Sequence, residues 1–148
     1  LTLKPELETR GIAVQLNLAD EFPNLSLDAA QIQQALYNLI RNAYQAISPP
    51  NGEIVIQSVV TEYDFTLSIS DNGSGISPEM MGAMFEPFQT TKNSGTGLGM
   101  LIVRRILREH GDELEVESEE NVGTKVSLFF PRTDKRVRLL SNQAPIEV

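Results

Sequence analysis

Cysteine is absent from this 148-residue chain, tryptophan is absent too, and histidine occurs once. Without a thiol there is no disulfide framework, no thiolate metal site and no cysteine nucleophile, and the composition suits a reducing compartment such as the cytoplasm. No uninterrupted apolar run approaches the ~20 residues that cross a bilayer, and no charged-then-apolar signal segment opens the chain. We therefore expect a soluble cytoplasmic domain that makes no membrane contact itself, even if its parent protein is anchored. Basic residues are scarce: 12 Lys and Arg against 20 Asp and Glu leave a formal charge of −8. Four of the twelve follow Pro131, so residues 1–131 hold 8 basic against 18 acidic side chains. That body lacks the clustered cations with which a nucleic-acid partner is held, and any phosphate bound here is bound locally. Residue 1 is Leu, from which we expect a fragment of a longer protein.

What is present suits one globular domain: 41% of the residues are hydrophobic, enough for a real core. Ile12, Val14, Leu16 and Leu18 alternate with polar or small residues, predicting a first strand with one buried face. Asp28 and Gln31 stand at capping-box spacing. Ile32, Leu36, Leu39, Ala43 and Ile47 then recur at helical intervals until Ser48-Pro49-Pro50-Asn51-Gly52 ends the run. Two strands, 53–60 and 63–70, are separated by a short turn and predict an antiparallel hairpin. Ser77-Pro78 predicts a short helix to about Met84. A further helix runs from Gly99 to a left-handed cap at Gly111, burying Leu101, Ile102, Val103, Ile106 and Leu107 and turning Arg104, Arg105 and Arg108 to solvent. Strands near 113–118 and 124–130 close the domain, and periodicity is lost after Pro131. Helices among mostly antiparallel strands, without regular strand–crossover alternation, predict an α+β fold, a two-layer sandwich of a mixed sheet packed on helices. The domain is expected over 1–131, with a flexible tail over 132–148.

Three motifs carry chemistry. Asn38 and Asn42 lie four apart, on one face of the long helix and about 120–130° from its apolar stripe. Asn costs up to ~0.7 kcal/mol against Ala inside a helix; ligation of a hard cation such as Mg²⁺ through an amide oxygen would account for it, as would simple solvation. Asp71 ends a strand and is followed by Asn72-Gly73-Ser74-Gly75, where glycines let the backbone turn sharply and approach a flat ring. The carboxylate can accept the exocyclic amine of adenine, although a plain hairpin turn uses the same residues. Gly95-Thr96-Gly97-Leu98-Gly99 lacks the Lys-Ser/Thr of a P-loop and the spacing of a dinucleotide fingerprint. It opens a helix whose free N–H groups, from Thr96 to Met100, suit a triphosphate; a ligand-free helix cap is the alternative. Lys92, between Phe88 and Gly95, either reaches a terminal phosphate or is ordinary loop solvation.

In that order and spacing the chain resembles the catalytic ATP-binding domain of sensor histidine kinases, in the superfamily that also holds gyrase, Hsp90 and MutL ATPases and has a Bergerat-type ATP-binding fold. The likeness runs from about residue 12 to Pro131. Gln34-Ala35-Leu36-Tyr37-Asn38-Leu39-Ile40-Arg41-Asn42-Ala43 is similar to the N box, which implies Asn42 as the Mg²⁺ ligand, Asn38 beside the phosphates, and Ala46 one turn further along the site. Asp71-Asn72-Gly73-Ser74-Gly75-Ile76 is similar to the G1 box, implying Asp71 as the adenine reader with Gly73, Gly75 and Ile76 around it. Phe85-Glu86-Pro87-Phe88 is similar to the F box, Gly95 to Gly99 to the G2 box, and Gly123-Thr124 to a closing strand whose Thr supports the adenine through water. Gln89 to Ser94 would be the ATP lid, with Lys92 as its phosphate contact.

The resemblance implies a protein histidine kinase that uses ATP and Mg²⁺, with Asn38, Asn42 and Lys92 as catalytic residues. Its γ-phosphoryl group would pass to a histidine on a dimerisation and phosphoacceptor helical domain of the same protein, and then to the Asp of a response regulator receiver domain. The isolated domain is expected to be monomeric and the full protein a homodimer. Superfamily ATPases carry a Glu four residues before the metal-binding Asn; here that position is Asn38, and a neutral amide cannot serve as a general base. His110 falls at a helix end and suits an interaction with the helix dipole rather than a phosphoacceptor role. Asp112 stands where relatives commonly have a second glycine, a change we expect to be structural. The rival readings are an ATPase or protein-serine kinase of the same superfamily, and a nucleotide-binding module that transfers nothing.

Overall fold

Asp28, in extended conformation, caps the longest helix by accepting a hydrogen bond from the Gln31 N–H at 3.2 Å, which satisfies one of the four donors a helix start leaves unpaired. The computed structural model describes residues 4–48, 50–84 and 99–132. In chain order these form α1 (Lys4–Thr9), β1 (Ala13–Asn17), α2 (Ala29–Ala46), β2 (Glu53–Val60), β3 (Asp64–Asp71), α3 (Pro78–Ala83), α4 (Gly99–Glu109), β4 (Glu113–Glu119) and β5 (Gly123–Pro131). The strands make one sheet in the order β1-β2-β3-β5-β4, with β1 parallel to β2 and every other pairing antiparallel. This is the expected two-layer α+β sandwich with a mixed sheet.

The core lies between the sheet and the helix pair. Register aligns Phe65 with Phe130, Leu67 with Leu128 and Ile69 with Val126, and β4 adds Leu114 and Val116 beside Leu128 and Val126. Because side chains alternate along a strand, these residues share the helix-facing side. Against them α2 buries Ala35, Leu39, Ile40, Ala43 and Tyr44, and α4 buries Val103, Ile106 and Leu107. Leu101 and Ile102, expected in the core, are only half-buried; Arg105 and Arg108 face solvent as expected, but Arg104 is half-buried.

The C-terminal end of α4 is pinned in two ways. Gly111 takes φ 75°, and the Asp112 N–H reaches back to the Leu107 carbonyl at 2.8 Å, a left-handed helix stop of the expected kind. His110 joins this end to the start of α2. Its Nε2 accepts the Asp28 N–H at 3.0 Å, so its Nδ1, 2.8 Å from the Ile106 carbonyl, carries the proton and donates. The lone histidine is thus a neutral cross-brace that caps a helix carbonyl.

The first strand departs from expectation. Ile12 is buried, but Val14, Leu16 and Leu18 are 41%, 61% and 47% exposed. Alternation identified a strand correctly and its burial wrongly: β1 is an edge strand, and among the described residues α2 packs over β3 and α4 over β4 rather than over its apolar face. The α1 helix had no sequence signal and contributes Leu7 to the core. Leu107 has no exposed surface and sits in the α2–α4–sheet core. Leu107→Ala is expected to cost about 2–5 kcal/mol, as cavity-forming Leu→Ala changes do; a urea denaturation midpoint equal to the parent's would show that the helix layer is not what stabilises this sheet.

Candidate functional site

On the helix-facing side of β3, β4 and β5, one end is polar where the rest is apolar. Register places Asp71 opposite both Ile54 on β2 and Thr124 on β5, and Thr124 opposite Ser118 on β4. Asp71, Thr124 and Ser118 therefore form a transverse row of a carboxylate and two hydroxyls, one layer beyond Ile69, Val126 and Val116 on the same face. The row extends the hydrophobic stack and changes its chemistry at the end where the G1 loop leaves β3.

Glycine allows that loop to lie against its neighbours. A Cβ on Gly73 would stand 2.5 Å from the Ala46 carbonyl oxygen, and one on Gly75, which takes φ 71°, would collide with the Glu119 carbonyl. The absence of side chains lets the Ser74 N–H reach the Ala46 carbonyl at 2.9 Å, capping the last turn of α2, while the Asn121 N–H bonds the Ser74 carbonyl at 2.6 Å. Asp71 steadies the turn by accepting the Gly73 N–H at 2.8 Å. Asn72 ties the loop to the start of β2, its Oδ1 accepting from Glu53 N–H and its Nδ2 donating to the Asn51 carbonyl, both at 2.8 Å. The loop is thereby fixed between the end of α2 and the β4–β5 turn.

The two asparagines sit higher on α2, on the side that meets α4. Asn42 packs its amide against Gly99, the first residue of α4: a Cβ there would lie 3.6 Å from both its Oδ1 and its Nδ2. The unpaired N–H groups that open an 11-residue helix begin at this contact. Asn38 is half-buried, and its Nδ2 is sealed from solvent with no hydrogen-bond partner among the described residues. An orphaned buried donor costs about 1–3 kcal/mol, a cost that an anionic oxygen would remove. Among the described residues no group of three His, Cys, Asp or Glu could hold a metal ion. A cation at this place would take a neutral amide oxygen and rely on ligand oxygens for the rest of its shell, as Mg²⁺ commonly does.

Of the residues singled out from sequence, the structure brings Ala46, Asp71, Gly73, Gly75, Ile76 and Thr124 together at the sheet end, and Asn38, Asn42, Gly99 and Met100 along the α2–α4 seam above it. Lys92, Gly95, Thr96, Gly97 and Leu98, with Phe85 and Phe88, lie outside the described residues. Sequence reasoning missed Ser118. Its hydroxyl accepts the Ile76 N–H at 2.8 Å and lies 2.8 Å from the Thr124 hydroxyl and 3.1 Å from the Gly123 carbonyl. The expected strands 113–118 and 124–130, joined by Glu119 to Gly123, already bring position 118 opposite 124, but a serine among glutamates gives no chemical cue by itself. An open cleft beside it is lined by Ile76, Pro78, Met81, Ser118, Glu119 and Glu120.

A carboxylate and hydroxyl at a sheet end, a glycine loop, and amides beside a helix N-terminus form a nucleotide-binding arrangement. The chain matches the domain family described as "Histidine kinase-, DNA gyrase B-, and HSP90-like ATPase" over residues 27–134. It is 33% identical over 130 residues to sporulation kinase E of Bacillus subtilis, covering 87% of this chain and 18% of that protein. It is also 33% identical over 126 residues to the sensor histidine kinase ZraS of Escherichia coli K12, covering 85% and 27%. The nucleotide-free catalytic domain of histidine kinase ThkA superposes with a TM-score of 0.77 at 31% identity, over 88% of this chain and 87% of that one. ThkA solved in complex with the response regulator TrrA matches with a TM-score of 0.74 at 27% identity, over 89% of this chain and 37% of that one. The chain belongs to the histidine kinase-, gyrase B- and HSP90-like ATPase family, as a catalytic ATP-binding domain of the histidine kinase type. It spans about a fifth to a quarter of the length of these two curated relatives.

The Gly73 contact is with backbone, which no side-chain rotation relieves. Gly73→Ala is expected to separate the loop from Ala46, destabilise the domain by about 1–3 kcal/mol, and weaken ATP binding. An unchanged melting temperature together with unchanged calorimetric affinity would contradict this account of the loop.

Proposed function

We propose that residues 1–131 form the catalytic domain of a sensor histidine kinase, which binds ATP with Mg²⁺ and presents the γ-phosphoryl group to a histidine on a helical dimerisation domain of the same protein. The observation that carries this reading is the meeting of sequence-distant motifs: Asp71 and Thr124 in one register at the sheet end, and Asn42 against the first residue of α4. In this reading Asp71 accepts the exocyclic amine of adenine, while Gly73, Gly75, Ile76 and Ala46 shape the slot that holds the ring. Asn38 donates its orphaned N–H to a phosphate oxygen. Asn42 supplies a neutral oxygen to Mg²⁺, which when bound would neutralise phosphate charge. The N–H groups of Gly97 to Met100 would cradle the phosphates, and Lys92 would be their contact from the lid.

Such a site works by holding reactants in line and by charge neutralisation, since phosphoryl transfer asks little covalent chemistry of the protein. Asn38 occupies the position from which a glutamate would activate water, and its amide cannot take a proton. Transfer to an incoming imidazole is therefore favoured over hydrolysis. The ThkA–TrrA complex supports a response regulator as the next acceptor in the parent protein. The parent is proposed to act as a homodimer in the cytoplasm, with or without a membrane anchor outside this domain.

Calorimetry with ATP and ADP, with and without Mg²⁺, combined with phosphate release over hours, tests this directly. Micromolar-range, Mg²⁺-strengthened binding with negligible turnover is expected. Rapid turnover would mark an ATPase, and absence of binding would end the nucleotide reading. Asp71→Asn removes the charged acceptor and should weaken ATP binding roughly 10- to 100-fold, the range for a hydrogen bond to a charged group; near-parental affinity would mean that the base is read elsewhere.

A further inference from the structure

We infer that Ser118 is a positioning residue for the nucleobase: its hydroxyl fixes which way the Thr124 hydroxyl points its proton and thereby sharpens base discrimination. The inference rests on the proposed base-binding role of Asp71 and Thr124. A serine hydroxyl has one proton and two lone pairs. One lone pair receives the Ile76 N–H at 2.8 Å. The proton then has two acceptors in reach, the Gly123 carbonyl at 3.1 Å and the Thr124 Oγ1 at 2.8 Å.

These choices have opposite consequences at the site. If Ser118 donates to Gly123, its second lone pair takes the Thr124 proton, and Thr124 faces the base with lone pairs only. If Ser118 donates to Thr124, the Thr124 proton is released toward the site and Ser118 no longer serves Gly123. The first arrangement engages Ile76, Thr124 and Gly123 at once, and polar groups screened from water favour the most complete pairing. Ser118 therefore holds Thr124 as an acceptor. Thr124 lies directly across the strand from Asp71, which is an acceptor as well. A water that donates one hydrogen to Thr124 turns its other hydrogen toward the base, so the site offers an acceptor at Asp71 beside a water donor. That order matches the N6 amine and N1 of adenine and opposes the O6 and N1–H of hypoxanthine. Without Ser118 the Thr124 hydroxyl can rotate to suit either edge.

The test is a double-mutant cycle read as the ratio of ATP to inosine triphosphate affinities, measured by calorimetry on the whole chain. Ser118→Ala is expected to narrow that ratio ~3- to 10-fold, the range for one hydrogen bond, and to change it little once Thr124→Ala is already present. Ser118→Thr, which keeps the hydroxyl, should retain the parental ratio. Should Ser118→Ala not fold, Ser118→Cys replaces it in the same cycle, being near-isosteric with a weak donor. A ratio unmoved by the loss of the hydroxyl, or moved equally in both backgrounds, overturns the inference, the second result showing that Ser118 acts through Ile76 instead. Failure of the parent chain to bind ATP, or parental binding by Asp71→Asn, instead overturns the base-binding reading and the inference with it.

Discussion

The carbonyl of Ala46 is where the helix layer and the sheet are locked together. It ends α2, receives the Ser74 N–H, and lies so near Gly73 that no side chain fits between them. Everything assigned to the site depends on that closeness. Asp71 is held at the end of β3 by the same turn that caps the helix, so the carboxylate that would read the base and the helix that carries both asparagines share one rigid joint. A looser loop would leave a last-turn carbonyl unpaired, which is costly in a half-buried position.

From this joint the site spreads in two directions with different chemistry. Across the sheet it is a row of side-chain acceptors and hydroxyls, suited to the edge of a base. Along the α2–α4 seam it is made of neutral amides and helix-start N–H groups, suited to oxyanions and a hard cation. On the proposed function, the division would let an acidic protein hold a highly charged ligand. The phosphates would be met by helix-start dipoles, by the Asn38 amide and by a metal ion rather than by a basic patch. In the same proposal the donor of Asn38 that has no partner among the described residues is a group poised for a ligand, which carries its cost until the ligand arrives.

Most of this architecture was legible in the sequence because its signals are local. The Asp28 cap, the α2 periodicity, the β2–β3 hairpin and the Gly111 stop each depend on neighbours within a few residues, and each is where local chemistry requires it. Other features escaped for the opposite reason, among them Leu101 and Ile102, expected in the core and only half-buried. Val14, Leu16 and Leu18 alternate as a half-buried strand should, yet lie exposed, since covering that face is decided by where α2 and α4 end up. Arg104 is half-buried although its helical position suggested solvent. Ser118 was overlooked because its importance comes only from facing Thr124 across a hairpin.

By itself the sequence determined which residue types were available and at what spacing: the paired amides, the Asp-Asn-Gly-Ser-Gly turn, the glycines before α4, and the absence of thiols and cationic clusters. Helix and turn signals are short-range, so these survive without knowledge of the fold. Only the tertiary structure decided that Gly73 would touch Ala46, that Asn42 would touch Gly99, and that Asp71, Thr124 and Ser118 would share one row. Apart from the Ser118–Thr124 pair across its hairpin, those contacts join segments separated by tens of residues, and strand order and register, set by the packing of the whole core, are what bring them into reach.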